Sequence, residues 1–270
     1  MSVATGLAGG LALSEAREAA GRAFAQAGPP ARTVETWRRM DYRRWALERW
    51  SPGGGLPPRP AALDPALAAR GVVLSTIEEA LASHPRLVEP TLRLGLASRD
   101  FAQMEAANLA GFAGGAFLYV PPGVKADKPF ELRFGQDGAA YDFPRSLIVL
   151  GDGAEATVVE EHGGGAQAPA GASSVAFSSI VAGRDSQLRY FYLENLPLGT
   201  SHFWHQHAAL DRGALLRHYS LLMGASFQKS QLDVELEGEG SRSELYGLLF
   251  GSGDQFFDPH TAQLHRAAHT

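Results

Sequence analysis

Two periodicities divide the chain. Up to about residue 112 the apolar positions recur at helical spacing. Ser14 is placed to cap a helix through Ala16, Ala19, Ala20, Ala23 and Phe24, and Gly28-Pro29-Pro30 ends it. Thr33 to Trp50 sets Trp37, Trp45 and Trp50 among arginines, with only loosely helical spacing. Ser51 to Pro60 is rich in proline and glycine and reads as a linker. Leu74 to Ala82 predicts a short helix capped by Ser75 or Thr76, with Glu78 and Glu79 in its first turn. Ser98 to Phe112 gives the clearest helix, its stripe running through Phe101, Met104, Ala107 and Leu109. Then the period shortens. Ala116 to Val120 and Phe130 to Phe134 read as strands around a Pro121-Pro122-Gly123-Val124 turn.

From about residue 146 onward the pattern repeats. One set of strand-like runs starts at Ala154, Ser186, Ala214 and Ser243, after the turns Gly151-Asp152-Gly153, Gly183-Arg184-Asp185, Asp211-Arg212-Gly213 and Gly238-Glu239-Gly240. A second set starts at Ser173, His202, Ser226 and Gln255. Both sets have a period of roughly 30 residues, as one two-strand unit used about four times would give. Such a unit cannot bury its inner face alone, so the units must stack. The fold class this implies is mainly β: a parallel β-helix over residues 113–270 behind an α-rich region over residues 1–112. A sandwich or jelly roll is the structural alternative. A further strand of the first set is expected soon after Gln263. The chain stops at Thr270 without a polar cap, which predicts an incomplete, open last coil.

Composition narrows the chemistry. A net charge of −5 and a pI near 6.0 argue against wide contact with nucleic acid. No apolar run reaches the roughly 18 residues of a membrane helix. Met1 to Leu13 lacks the basic start of a secretion signal, so the expected location is the cytoplasm. There is no cysteine, hence no thiolate for a cluster or for zinc. There is no P-loop, so any ATP is used by a partner.

Histidine and carboxylate clusters supply the candidate sites. His202, His205 and His207 lie in one strand, where His205 and His207 share a face with Phe203 and offer two imidazoles to a metal. With Gly199 and Asp211 they imitate a cupin metal motif, although Asp stands where Glu is usual. The alternative is a row of polar-face histidines. His260, His265 and His269, with Asp258, form a looser set that either approaches a metal, lines a partner interface or fills polar ladder positions. Glu160, Glu161 and His162 read as a solvated strand end. Glu235, Glu237 and Glu239 read as an acidic, water-facing edge. The Trp37 to Trp50 segment has the composition of a protein-protein hot spot and equally of a packed base beneath helices.

Several stretches carry a family resemblance. Asp100 to Leu132, DFAQMEAANLAGFAGGAFLYVPPGVKADKPFEL, is similar to the helix, FLYVP-type strand and turn of the SufB/SufD family. Gly151 to His162 resembles that family's first strong solenoid strand, and Glu194 to Thr270 the middle of its β-helix. Ala31 to Trp45 looks like the Glu-Thr-Trp element of SufD-type members. The resemblance implies a right-handed β-helix and a non-enzymatic scaffold that pairs with a SufB-type paralogue and a SufC-type ATPase; it also allows a homodimer. It implies that the complex handles the iron–sulfur cluster, that ATP belongs to the ATPase, and that this chain holds no cofactor of its own. The family's Asp-Asp-Val-x-Cys-Ser-His-Gly-like motif and C-terminal helical segment have no counterpart here. Two other functions compete: a cupin-like metal-dependent enzyme using His205 and His207, and a generic β-solenoid interaction module.

Overall fold

The computed structural model describes residues 13–31, 33–50, 59–60, 62–93, 99–135, 139–163 and 169–270. Its helices are α1 (Leu13–Ala27), α2 (Pro65–Ala68), α3 (Ile77–Ser83), α4 (Pro85–Arg93) and α5 (Ala102–Gly111). Ser14 sits inside α1 and does not cap it, because the helix already includes Leu13. Thr76 caps α3 in a reciprocal capping box with Glu79. The helix expected from Ser98 begins instead as a 3-10 turn, Arg99–Phe101, that leads into α5. The Trp-rich segment forms three 3-10 turns, Glu35–Trp37, Tyr42–Trp45 and Leu47–Arg49. Trp37 and Trp45 are almost fully buried there, which makes the segment a packed base. Apart from Arg59–Pro60, the stretch expected to be a linker lies outside the described residues, as does nearly all of Met1 to Leu13.

The strands build a parallel β-solenoid of about five turns from two sheets. Sheet one runs in the order β1 (Arg59–Pro60), β4 (Phe130–Phe134), β7 (Glu155–Gly163), β9 (Gln187–Asn195), β11 (Leu215–Leu222) and β13 (Arg242–Leu249). Sheet two runs from β2 (Val73–Ser75) through β3 (Ala116–Val120), β6 (Arg145–Leu150), β8 (Ser173–Ala182), β10 (Ser201–Leu210) and β12 (Phe227–Leu236) to β14 (Phe256–His265). The short β5 (Tyr141–Asp142) pairs with β8. The two strand sets read from the sequence are thus the successive strands of the two sheets. Only β1 and β2 pair antiparallel.

Burial follows the role of each face. Strand β7 alternates strictly between half-buried and buried residues, as expected of a sheet with one face inward. Strands β8 and β10 are buried on nearly every residue. Their inner residues, such as Ala176, Ile180, Ala208 and Leu210, meet Val158, Leu188 and Leu216 of sheet one across the lumen. Their outer residues Val175, Phe177 and Phe203 pack beneath Trp37, Phe101 and Leu109. The Asn108 amide fixes α5 to this outer face by donating to the carbonyls of Pro144 and Val175, at 2.8 and 2.6 Å.

The turns before the sheet-one strands stack on one another. Gly153 N–H donates to Arg184 O at 2.7 Å, Asp185 N–H to Arg212 O at 2.9 Å, and Gly213 N–H to Glu239 O at 3.0 Å. Each turn holds one left-handed residue, at Gly153, Asp185, Gly213 and Gly240. Aspartate tolerates that conformation better than most side chains. A Cβ at Gly213 would stand 2.2 Å from Asp185 Oδ1, whereas nothing lies within 4 Å of one at Gly240. Gly213→Val is therefore expected to cost about 2 kcal/mol or more, and Gly240→Ala about 1 kcal/mol. Urea unfolding of the two variants checks the order.

Candidate functional site

Two polar clusters lie on opposite faces of sheet two. On the outer face, β10 presents Phe203, His205 and His207, β12 presents Lys229, Gln231, Asp233 and Glu235, and β14 presents Asp258 and His260. Register places Phe203, Lys229 and Asp258 in one row and His205, Gln231 and His260 in the next. Each imidazole is held by a carboxylate. His205 Nε2 lies 3.0 Å from Asp233 Oδ2, His207 Nε2 lies 3.1 Å from Glu235 Oε1, and His260 Nε2 lies 3.0 Å from Asp258 Oδ1. The Lys229 ammonium is sealed beneath Trp37 and Phe101 and donates to Asp258 Oδ2 at 2.8 Å. Burial lowers the Lys229 pKa, and Asp258 opposes that shift. Burial also pushes His207 down despite Glu235. Asp233 is depressed, because the bonds from His205 and Gln231 outweigh burial, which acts to raise it.

These contacts join coils. His205, His207 and Lys229 each pair with the following strand, at Asp233, Glu235 and Asp258. Among the described residues no group of three or more His, Asp or Glu side chains is arranged to hold a metal ion. The candidate ligands are not brought together. His202 faces the lumen, and His265 turns to Thr270, its Nδ1 lying 2.8 Å from the hydroxyl oxygen. Glu235 is paired with both His207 and Arg266, so the acidic edge expected at Glu235, Glu237 and Glu239 is not simply water-facing.

The second cluster lies in the lumen. Glu160 and His162 were expected at a solvated strand end, but each side chain is only 1% exposed. Glu161 alone of the three faces outward, beside Arg133. Glu160 accepts four bonds: from Ser146 Oγ at 2.6 Å, Tyr190 OH at 2.6 Å, Ser178 Oγ at 3.0 Å and His162 Nε2 at 2.8 Å. Burial acts to raise its pKa, yet these donors, His162 foremost, hold it below the usual range. The His162 ring stacks on Phe134 at 5.0 Å and lies 4.9 Å from Tyr192, whose hydroxyl is 2.7 Å from His202 Nε2. Farther along, His218 stacks under Tyr190 at 5.1 Å. Glu194 accepts from the backbone N–H groups of Leu196 and Gly224.

The signal for this cluster was present in the sequence. Ala156, Val158, Glu160 and His162 occupy alternate positions, and so do Leu188, Tyr190, Tyr192 and Glu194 in register beside them. Each row starts apolar and ends polar. The lumen is therefore polar where β7 and β9 end, beside Ser146 and His202 near the starts of β6 and β10. Chemically, the bonds around Glu160 and between Tyr192 and His202 tie both sheets together.

Two predictions follow from it. Removing the Glu160 acceptor strands four buried donors, so Glu160→Ala is expected to cost about 3 kcal/mol or more. Glu161→Ala, on the outer face, should stay within about 0.5 kcal/mol. Urea midpoints measured side by side check the contrast.

The lumen also sets a pH dependence. Burial pushes His202 well below its ordinary 6.5 and His218 down to about 3. The unfolded chain protonates both near 6.5, while the folded chain resists. Their contribution is full above 6.5 and falls as pH drops, by about 1.4 kcal/mol per pH unit for each group. Glu194 acts oppositely. Burial pushes it up to about 7, so its contribution is present below 4.5 and is lost as pH rises toward 7. The urea midpoint should fall between pH 6.5 and 4.5, less steeply in His218→Phe and more steeply in Glu194→Gln.

Comparison with known proteins places this architecture. The family model described as SUF system FeS cluster assembly, SufBD core domain, matches residues 133–270, just over half of the chain. An iron–sulfur cluster assembly SufBD family protein of Staphylococcus epidermidis is 24% identical over 205 residues, which cover 74% of this chain and 43% of that relative. Proteins of the same description from Staphylococcus saprophyticus and Staphylococcus haemolyticus are 23% identical over the same shares. The matched stretch thus spans less than half the length of these relatives. The chain belongs to the SufBD core domain family of the SUF iron–sulfur cluster assembly system.

Proposed function

We propose that this chain is a SufD-type, non-catalytic scaffold subunit of a SufBCD-type complex that assembles iron–sulfur clusters in the cytoplasm. One observation carries the reading: the matched core, residues 133–270, coincides with the stacked coils from the end of β4 onward. A solenoid of this kind offers extended surface along its coils. The partners proposed are a SufB-type paralogue and a SufC-type ATPase. In this reading the nascent cluster is cargo, its thiolates come from other chains, and ATP is hydrolysed by the partner. The 270 residues contain neither cysteine nor a P-loop, which supports that division of labour. No helix of the described residues is long and apolar enough to cross a membrane.

The cupin-like alternative gains no support from the geometry. His205 and His207 each give Nε2 to a carboxylate of the next coil, and among the described residues no group of three or more ligands forms around them. The scaffold reading is tested by co-expressing the tagged chain with the SufB- and SufC-type proteins of its own organism. The expected outcome is a co-purifying complex that accumulates iron and sulfide. Failure of both partners to co-purify would remove the reading.

A further inference from the structure

The outer faces of the two sheets are finished differently. The helices bury the aromatic residues of sheet two. Sheet one keeps a bare strip. In register across β9, β11 and β13 it carries Phe191, Tyr219 and Tyr246 in one row and Leu193, Leu221 and Leu248 in the next. The aromatic rings stack face to face, Phe191 on Tyr219 at 4.7 Å and Tyr219 on Tyr246 at 5.0 Å. Tyr246 is 52% exposed and Leu248 59%. A contiguous apolar strip of this kind on a surface marks a contact site.

The margin of the strip is basic. Arg189 and Arg242 are exposed, and among the described residues neither forms an ion pair. Arg217, between them, is held by Glu244 at 2.9 Å. Glu244, the carboxylate on that margin, is thus already engaged, which leaves Arg189 and Arg242 to a partner's carboxylates.

We infer that this strip docks an amphipathic helix of a partner protein, with apolar side chains on the two rows and carboxylates over Arg189 and Arg242. The spacing favours a helix. Neighbouring strands lie about 4.8 Å apart along the solenoid axis, and a helix lying along that axis presents one side chain per turn of about 5.4 Å. An extended segment presents one every two residues, about 6.6 Å, and falls out of step at the second strand. The free arginines select the acidic flank.

The test uses two synthetic helical peptides with the same leucine stripe, one flanked by glutamates and its isomer by lysines. Fluorescence anisotropy is read against the full chain. The glutamate peptide is expected to bind at least tenfold more tightly. The double variant Arg189→Glu with Arg242→Glu should reverse that preference. Tyr246→Ser with Leu248→Ser should weaken binding at least tenfold, with an unchanged circular dichroism spectrum and urea midpoint, since both side chains are more than half exposed. Equal binding of the two peptides, no binding of either, or binding indifferent to these variants would overturn the inference. So would a dimer of the chain that Tyr246→Ser with Leu248→Ser dissolves while neither peptide competes, which would assign the strip to a second copy.

Discussion

A coil of this solenoid has no interior of its own. Its two strands leave backbone groups open along both edges and a lumenal face half built, and only the next coil completes them. Parallel pairing in continuous register does this through β8, β10, β12 and β14 in one sheet and β7, β9, β11 and β13 in the other. The rest of the structure depends on that stacking. It brings Phe191 onto Tyr219, sets the carboxylate of Asp233 beside His205, and carries the turn hydrogen bonds from Gly153 to Glu239. Because every strand repeats its neighbour's register, one side chain becomes a row, and its chemistry is multiplied along the axis.

Rows explain how a buried carboxylate survives here. An isolated Glu160 in a lumen would be strongly disfavoured. Stacking supplies donors from three other strands: Ser146 from β6, Ser178 from β8 and Tyr190 from β9. His162, two residues along β7, completes the set. The same economy is visible outside, where Lys229 is covered by rings of the helical region and neutralised by the next coil. At Glu160 and Lys229 the charge is buried where the repeat supplies its partner. These pairings also hold the coils in register, since a slip of one residue would send Glu160 outward and Glu161 into the lumen.

Much of the architecture was legible in the sequence, because turn residues and strand alternation recur at a fixed period. The runs from Ala154, Ser186, Ala214 and Ser243 became neighbours in one sheet, and those from Ser173, His202, Ser226 and Gln255 neighbours in the other. Alternation separates two faces without saying which one is covered. That is why Glu160 and His162 looked solvated: polarity at a strand end usually means water, and only the stacked partner strands reveal a polar lumen. The loosely spaced tryptophans lack a helical period for a related reason. Trp37 and Trp45 are placed by contact with Phe203 and Phe227 of distant coils, which no local period encodes. His205 and His207 were recognised as sharing a face, but their carboxylate partners lie 28 residues away on the next coil.

The division between lumen and surface constrains what the protein can do with iron or sulfur. Glu160, His162, His202 and His218 are each at most 1% exposed, so this part of the lumen is a structural interior. The histidines of the outer face are engaged by carboxylates, and the 270 residues hold no thiol. In the scaffold role proposed above, chemistry on a cluster would fall to groups that other chains bring against these coils. The coils present long parallel rows whose spacing is set by the backbone and whose faces differ, one covered by the chain's own helices and one bare. The proposed scaffold role draws on that rigidity more than on reactive side chains. The buried networks joining coil to coil hold those rows in register.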